Sequence, residues 1–225
     1  MPRPPSTADV TQLKAGAELH EDDLRRRVKR ELRKRLRGLR GATPLDACAE
    51  RSSRIIEKLE ALDAVRAASK VALFWPILAR HEVDLRAFDD ALRRRGARVA
   101  YPAIEPASEP ASQPPGAPGR MTFRFVDDVT AMEERGFGFA EPSALAAEAP
   151  VSELDVVIVP ALALDPTGQR IGYGAGYYDR ALAGTAVVKV GVIFDFQLVS
   201  EVPATDGDVP VDWVVTDART LRASR

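Results

Sequence analysis

The sequence predicts an α/β fold of three layers, a mostly parallel sheet with helices on both faces. Three observations carry that expectation. Strand-length apolar runs such as Val71–Ile77 and Asp155–Pro160 lack polar alternation, as strands buried on both faces do. These runs alternate along the chain with amphipathic helical segments, the pattern of parallel strands joined by crossovers. The 225 residues, 45% apolar and 29% charged, suffice for a real core, with about 70% of the unfolded surface buried.

Each element follows from local pattern. Residues 1–21 are rich in Pro, Thr, Ser and Ala and read as a flexible tail, leaving 22–225 as a single domain. From Asp22 to Gly41, Leu24, Val28, Leu32, Leu36 and Leu39 make one apolar stripe on a helix whose other faces are densely basic. Thr43 as N-cap and Pro44 at the first position predict a second helix, with Leu45, Cys48, Ile55, Ile56 and Leu59 on its buried side. Val71–Ile77 is a strand. Asp84–Arg95 is a helix with Leu85, Phe88 and Leu92 inward, stopped by Gly96. Arg98–Ile104 and Met121–Val126 are strands, separated by the Pro/Ala-rich segment 105–120, a surface loop insertion. Asp155–Pro160, Val187–Phe194 and Asp212–Thr216 are further strands, and a helix runs from about Gly176 to Leu182.

Composition excludes whole classes. A single cysteine, Cys48, makes neither an internal disulfide nor a Cys-rich zinc site. No apolar run is long enough for a membrane span, and the N-terminus lacks the apolar core of a signal peptide. A cytoplasmic protein without a membrane partner is the expectation. With 32 basic against 33 acidic residues, the net charge of −1 argues against a general nucleic-acid binder.

Chemistry concentrates in Asp155–Asp179. A buried strand leads through a turn into Gly172-Tyr-Gly174-Ala-Gly176 and then a helix. Glycines there let backbone N–H groups approach an anion, and the helix start adds a favourable field. The spacing is neither the dinucleotide fingerprint nor a P-loop. Glycine spacing alone leaves an anion site and a plain flexible turn equally open; Arg170 before the loop and Tyr177-Tyr178-Asp179 after it favour the anion site.

Pro160, Asp165, Gly168, Arg170, Gly172, Gly174, Gly176, Tyr177, Tyr178 and Asp179 match, position by position, the signature of the 5-formyltetrahydrofolate cyclo-ligase family, which the chain resembles. Weaker matches lie in order around it: Lys29 and Arg33, Phe74-Trp75-Pro76, Glu82-Val83-Asp84, Tyr101-Pro102, Met121, Glu141-Pro142, Gln197 and Asp208-Val-Pro-Val-Asp212. The resemblance covers roughly residues 24–217. Two departures stand out. His81 occupies a position where the family commonly has Gly, and Ala175 one where some relatives carry Lys.

The resemblance implies a fold shared with ribose-phosphate isomerases and CoA transferases. It also implies the ATP- and Mg²⁺-dependent conversion of 5-formyltetrahydrofolate, polyglutamylated or not, to 5,10-methenyltetrahydrofolate by a monomer. Two segments would hold ATP: Lys29, Arg30, Glu31, Leu32 and Arg33, and Arg170, Ile171, Gly172, Tyr173, Gly174, Ala175, Gly176, Tyr177 and Tyr178. Lys29 and Arg33, at i and i+4, would reach the phosphates together; Lys29 and Arg170 would be catalytic. Glu82, Phe137, Tyr173, Gly174, Ala175, Gly176 and Tyr177 would contact the folate, with Phe137, Tyr173 and Trp75 as aromatic walls. Asp179 and Asp208 would hold Mg²⁺, whose preference is for carboxylate oxygens. His20 and His81 take no part. Two rivals share some of these features: a sugar-phosphate isomerase or CoA transferase on the same fold, and a nucleic-acid binder using the Arg-rich helix.

Overall fold

The computed structural model describes residues 7–105, 119–134 and 139–224, with the backbone alone for residues 7–20 and Asp22. Its elements in chain order are helices α1 (Thr7–Gly41), α2 (Leu45–Ala61) and α3 (Asp63–Ala67), strand β1 (Lys70–Ala72), helix α4 (Arg86–Arg94) and strands β2 (Arg98–Glu105) and β3 (Arg120–Phe125). Two short hairpins flank a strand: β4 (Glu133–Glu134) with β5 (Ala140–Glu141), then β6 (Val156–Pro160), then β7 (Ala163–Leu164) with β8 (Arg170–Ile171). Helix α5 (Tyr177–Leu182) and strands β9 (Val188–Val192), β10 (Trp213–Val215) and β11 (Thr220–Arg222) complete the chain.

Seven strands form one sheet in the order β11-β10-β9-β6-β1-β2-β3. The five inner strands run parallel, and β3 and β11 close the edges antiparallel. Side chains leave the sheet alternately. Val156 and Ile158 enter the cluster formed with Ile55 and Leu59 of α2 and Phe88 and Leu92 of α4; Val157 and Val159 enter the opposite one, with Leu182 of α5. That two-sided burial is why these strands read as continuous apolar runs.

The topology dictates where a site lies. From β1 the chain crosses to β2 on one side, while from β6 it crosses through β9 to β10 on the other. Connections therefore diverge between β1 and β6, and a crevice opens beyond their carboxyl ends. Helix α1 does not join either sheet layer. Its Leu36 packs against Leu162, Ala163 and Ile171 of the β7–β8 hairpin, so α1 lies across that crevice.

Several elements differ from the sequence expectation. The helix expected from Asp22 begins at Thr7, since Gln12-Leu-Lys-Ala and Ala17-Glu-Leu are strong helix formers; residues 1–6 of the expected tail lie outside the described residues. The leucine stripe of α1 is buried only around Leu36, with Leu32 half-buried beside it. Leu24, Val28 and Leu39 are exposed, whereas Lys29, Leu36 and Arg40 are buried, because the surface α1 covers is rich in carbonyl and carboxylate acceptors. Thr43 does not cap α2; its hydroxyl donates back to the Leu39 carbonyl, and Leu45 is exposed. The strand expected over Val71–Ile77 stops at Ala72: Leu73 still donates to Ala100 O, but Pro76 has no N–H and the chain turns into the crevice. Of the 105–120 insertion, residues 106–118 lie outside the described residues, and its ends Glu105 and Arg120 are paired across the β2–β3 ladder. No helix among the described residues is long and apolar enough to cross a membrane.

The β7–β8 turn is built by Asp165. One carboxylate oxygen accepts from the backbone N–H groups of Thr167 and Gln169 and from the Thr167 hydroxyl, and the other accepts from Val202 N. Gly168 sits at φ 84 within this turn, and a Cβ there would lie 2.3 Å from the Val211 carbonyl oxygen. Gly168→Ala should therefore destabilise the protein by about 1–3 kcal/mol. A thermal unfolding midpoint equal to the parent's would contradict that.

Candidate active site

A cavity of about 430 Å³ occupies the crevice. Phe74 and Trp75 reach it from the end of β1, Pro160 from the end of β6, Pro102 and Ile104 from β2 and Met121 from β3. Those residues and Phe139 form an apolar wall. The opposite wall is charged: Arg26, Lys29 and Arg33 come from α1, Arg80 from the short 3₁₀ turn Leu78–Arg80, and Arg170 from β8, facing Glu82, Asp179 and Asp208. Five guanidinium or ammonium groups against three carboxylates leave an excess of positive charge, suited to an anionic ligand.

These charges are already tied to one another. The Lys29 ammonium, 5% exposed, donates to Asp208 Oδ2 and, at 3.0 Å, to the Thr205 hydroxyl. Arg170 Nη2 donates to Asp179 Oδ1 at 2.6 Å, and the same oxygen accepts from Val209 N at 3.0 Å. Burial pushes the Asp208 carboxyl up, but hydrogen bonds from Lys29 and from the Thr205 backbone and hydroxyl outweigh it and hold the group below its ordinary value. Among the described residues Asp179 Oδ2 and Asp208 Oδ1 accept no hydrogen bond. Both aspartates line the same cavity, each with one oxygen not engaged by the protein, a donor set that fits a hard cation sharing its other positions with phosphate oxygens and water.

The glycine loop runs between β8 and α5. Gly174 (φ 110) and Gly176 (φ 66) occupy the region that side chains disfavour. A Cβ at Gly174 would point at the Arg33 guanidinium, 3.7 Å from its Cζ, and fill the space between loop and helix. Arg33 Nε donates to Gly172 O at 2.9 Å, and Arg37 Nη2 to Tyr173 O at 3.4 Å. Helix α5 has only six residues, so the loop's N–H groups and surrounding guanidinia, rather than a long helix dipole, make this wall attractive to an anion. Tyr178 lines the cavity with a buried hydroxyl, and Arg170 carries a buried Nε; neither atom has a partner among the described residues. Burial pushes the Tyr178 phenol up, so it is a donor at neutral pH.

A second cluster adjoins the loop. Tyr173 donates its hydroxyl to Glu82 Oε1, while Glu82 Oε2 accepts from Ile77 N at 2.9 Å. Arg40 Nη2 donates to the Tyr173 hydroxyl oxygen at 2.6 Å and lies 3.7 Å from Glu82 Oε1. Guanidinia of Arg37, Arg40 and Arg80 stand 5.6–5.9 Å from the centre of the Tyr173 ring. Burial, and then the Glu82 charge, push the Tyr173 phenol up, so it too keeps its proton.

Of the residues singled out from sequence, the structure brings Lys29, Arg33, Trp75, Glu82, Arg170, Gly172, Tyr173, Gly174, Ala175, Gly176, Tyr177, Tyr178, Asp179 and Asp208 to this one cavity. Others do not line it. Arg30 and Glu31, one and two residues beyond Lys29, rotate out to solvent; Leu32 packs beside Leu36, and Ile171 is fully buried beneath the hairpin. Phe137 lies outside the described residues, as does the side chain of His20. His81 does not line the cavity. It takes the left-handed conformation (φ 53) that suits the Gly common at this position in the family, and its Nδ1 lies 2.8 Å from the Thr43 carbonyl. Sequence reasoning missed Arg26, Arg40 and Arg80. For Arg26 and Arg40 a signal existed: residues 26, 29, 33, 37 and 40 recur at steps of three and four and share one face of α1.

A family model described as the 5-formyltetrahydrofolate cyclo-ligase family matches residues 25–217. A Mycolicibacterium smegmatis protein named 5-formyltetrahydrofolate cyclo-ligase is 46% identical over 94 residues, 40% of this chain and 47% of that protein. An Escherichia coli K12 protein of the same name is 30% identical over 168 residues, 68% of this chain and 87% of that protein. Among solved structures, the NMR structure of Aquifex aeolicus 5,10-methenyltetrahydrofolate synthetase superposes with a TM-score of 0.74 at 28% identity, covering 88% of this chain and 94% of that one. A Mycoplasma pneumoniae 5,10-methenyltetrahydrofolate synthetase shares the fold, with a TM-score of 0.64 at 21% identity over 84% of this chain and 98% of that one.

The Asp208 carboxyl gives a pH test with a defined sign. Its native value lies below its ordinary one, so its contribution to stability is complete above the ordinary carboxylate range, about pH 4, and disappears as pH falls through the lower native value. The unfolding midpoint of Asp208→Asn should accordingly fall short of the parent's at neutral pH, and the gap should close on acidification. A gap that widens toward acid would reverse the assignment.

Proposed function

This chain belongs to the 5-formyltetrahydrofolate cyclo-ligase family and is an enzyme of that family; from that premise we propose that it closes the ring of 5-formyltetrahydrofolate to 5,10-methenyltetrahydrofolate, consuming ATP and releasing ADP and phosphate with the help of Mg²⁺. The observation that carries the reading is the convergence of the Gly172–Gly176 loop, the cations Lys29, Arg33 and Arg170 and the aspartates 179 and 208 on one cavity with an apolar wall.

The chemistry explains why such a cavity is needed. A formamide oxygen is a poor leaving group. Transfer of the γ-phosphoryl of ATP to that oxygen gives an iminophosphate, and attack of the second folate nitrogen on the same carbon then expels phosphate. Lys29, Arg33 and Arg170 would neutralise the phosphates through charge-assisted hydrogen bonds, and the loop's N–H groups would fix their position. Asp179 and Asp208 would hold Mg²⁺ through the oxygens left free, and the ion would supply neutralisation of phosphate charge. Trp75 and Tyr173 would flank the flat pterin, and Glu82 would accept hydrogen bonds from its N–H groups. Binding both substrates in one cavity would align two nitrogens around one carbon.

The proposal includes the fold shared with ribose-phosphate isomerases and CoA transferases, and a monomer working in the cytoplasm without a nucleic-acid partner. The α1 cations that line the cavity, Arg26, Lys29 and Arg33, turn inward, which favours a phosphate ligand over a nucleic-acid track along the helix. An isomerase or transferase would account for the glycine loop but not for the paired aspartates.

Absorbance of the methenyl product after mixing protein, 5-formyltetrahydrofolate, Mg²⁺ and ATP tests the reading directly; no product, with the folded protein binding neither substrate, would end it. Lys29→Ala and Arg33→Ala should each raise the KM for ATP roughly ten- to a hundredfold, the loss of one charged hydrogen bond of about 1.5–3 kcal/mol, and leave folate binding without nucleotide intact. If either variant lost folate and kept ATP, the helix would serve the other ligand. Asp179→Asn keeps size but weakens a metal ligand. Its turnover at limiting Mg²⁺ should fall about a hundredfold or more, a loss of several kcal/mol, and recover in part with excess Mg²⁺. Near-parental turnover at limiting Mg²⁺ would remove Asp179 from the metal site.

A further inference from the structure

Arg40 has no part in the chemistry above, yet it is as buried as Lys29, at 4% exposure, and its Nε lacks a partner among the described residues. A buried guanidinium needs a reason, because its desolvation must be offset by what it touches. What it touches is the junction between the two halves of the cavity.

We propose that Arg40 is a positioning residue that makes nucleotide binding at the glycine loop and folate binding at Glu82 mutually dependent, through the Tyr173 hydroxyl. This inference rests on the reading of the loop as the nucleotide site and of Glu82 as the folate contact.

The argument follows the atoms. Arg33, Arg37 and Arg40 project from one face of α1 and donate in turn to Gly172 O, Tyr173 O and the Tyr173 hydroxyl. The loop is thereby gripped at its backbone and at its side-chain tip by one rigid helix. The Tyr173 hydroxyl in turn donates a hydrogen bond to Glu82 Oε1, and Glu82 Oε2 is held by Ile77 N. Arg40 is the only one of these guanidinia that also stands within ion-pair distance of Glu82, at 3.7 Å. Its planar fork spans a phenol and a carboxylate together, which a lysine ammonium does with less geometric control.

Moving the loop away would strip Arg40 and Glu82 of the phenol that bridges them and leave two buried charges less well satisfied. Turning Glu82 away would strip the phenol of its acceptor. Loop position and Glu82 orientation are therefore one two-state unit. A ligand that fixes either favours the arrangement that receives the other, and the coupling is reciprocal. Tyr173 supplies the hinge atom, but without Arg40 only the single phenol–carboxylate bond remains, free to form in more than one loop position.

The test measures 5-formyltetrahydrofolate affinity of the full chain by titration calorimetry, with and without Mg²⁺ and a non-hydrolysable ATP analogue. In the parent the analogue should tighten folate binding about tenfold, within the usual span of coupling between sites. In Arg40→Met the tightening should fall below about twofold, while the affinity for the analogue alone stays within about threefold of the parent's, both read on the scale of site-to-site coupling. Arg40→Lys should recover part of the tightening, and Tyr173→Phe should lose it without disturbing any charge. Should Arg40→Met fail to fold, as judged by its unfolding transition, the Lys and Phe variants carry the comparison. Full tightening in Arg40→Met, or in both of the other variants, overturns the inference, as does a parent that shows none. Glu82→Gln separates the two levels. If it binds folate as the parent does, the reading of Glu82 fails and the inference with it; if it binds folate weakly while Arg40→Met keeps its coupling, the inference alone fails.

Discussion

One helix face holds the site together. Lys29, Arg33, Arg37 and Arg40 lie along α1 at steps of four, four and three, and each donates to a group that the rest of the cavity depends on: the Asp208 carboxylate, the Gly172 carbonyl, the Tyr173 carbonyl and the Tyr173 hydroxyl. Leu36, on the same side, seats the helix on the β7–β8 hairpin through apolar contact. The helix is thus anchored by a small hydrophobic patch and aligned by charge. A purely apolar helix would bury more surface but would take the side-chain donors of α1 away from the Gly172 and Tyr173 carbonyls and the cationic partner away from Asp208, at a cost of about 1–3 kcal/mol for each group left unmet.

The charges of the cavity are balanced locally before any ligand arrives. Lys29 is matched by Asp208 and Arg170 by Asp179. Pairs of this kind add little net stability, because desolvation consumes most of the Coulombic gain. Their worth lies in exchange. On the proposed reading, an incoming polyphosphate with its cation would offer each partner a replacement of the same sign, so that cations would pass to phosphate oxygens and carboxylates to the metal with little reorganisation. The excess of positive charge that remains, with Arg26 and Arg80 at the cavity wall, matches a ligand that is anionic overall.

The inner strands were legible because burial on both faces leaves an unmistakable run, and Val156–Val159 is the plainest instance. The glycine loop was legible because Gly172, Gly174 and Gly176 surround it with residues of a specific motif. What the sequence concealed are features decided by tertiary contact. Strand β1 is cut to three residues by the turn at Pro76; the β7–β8 hairpin has two-residue strands too short for any periodicity; the leucine stripe of α1 advertises a buried face that is instead exposed at Leu24, Val28 and Leu39. The helical spacing puts Arg40 on the face of Lys29 and Arg33, but its partner was hidden, since Tyr173 lies 133 residues along the chain. His81 shows the converse: a departure from the family's glycine that keeps the left-handed backbone by gaining a bond to the Thr43 carbonyl.

The Asp165 turn has a consequence for motion. The segment that carries Asp208 is pinned at both ends by this one turn: Val202 N donates to the Asp165 carboxylate, and Val211 N donates to Gly168 O. Between the pins, Thr205 and Asp208 close a tight bend around Gly207, and Val209 N reaches across to Asp179. The bonded amides of this segment, at Val202, Thr205, Asp208, Val209 and Val211, are tied to one another through the two pins, so their protection from exchange should fall together when the pins release. The Asp208 side chain on that segment accordingly inherits the rigidity of a turn on the far side of the hairpin, and its placement relative to Asp179 depends on the four hydrogen bonds of Asp165.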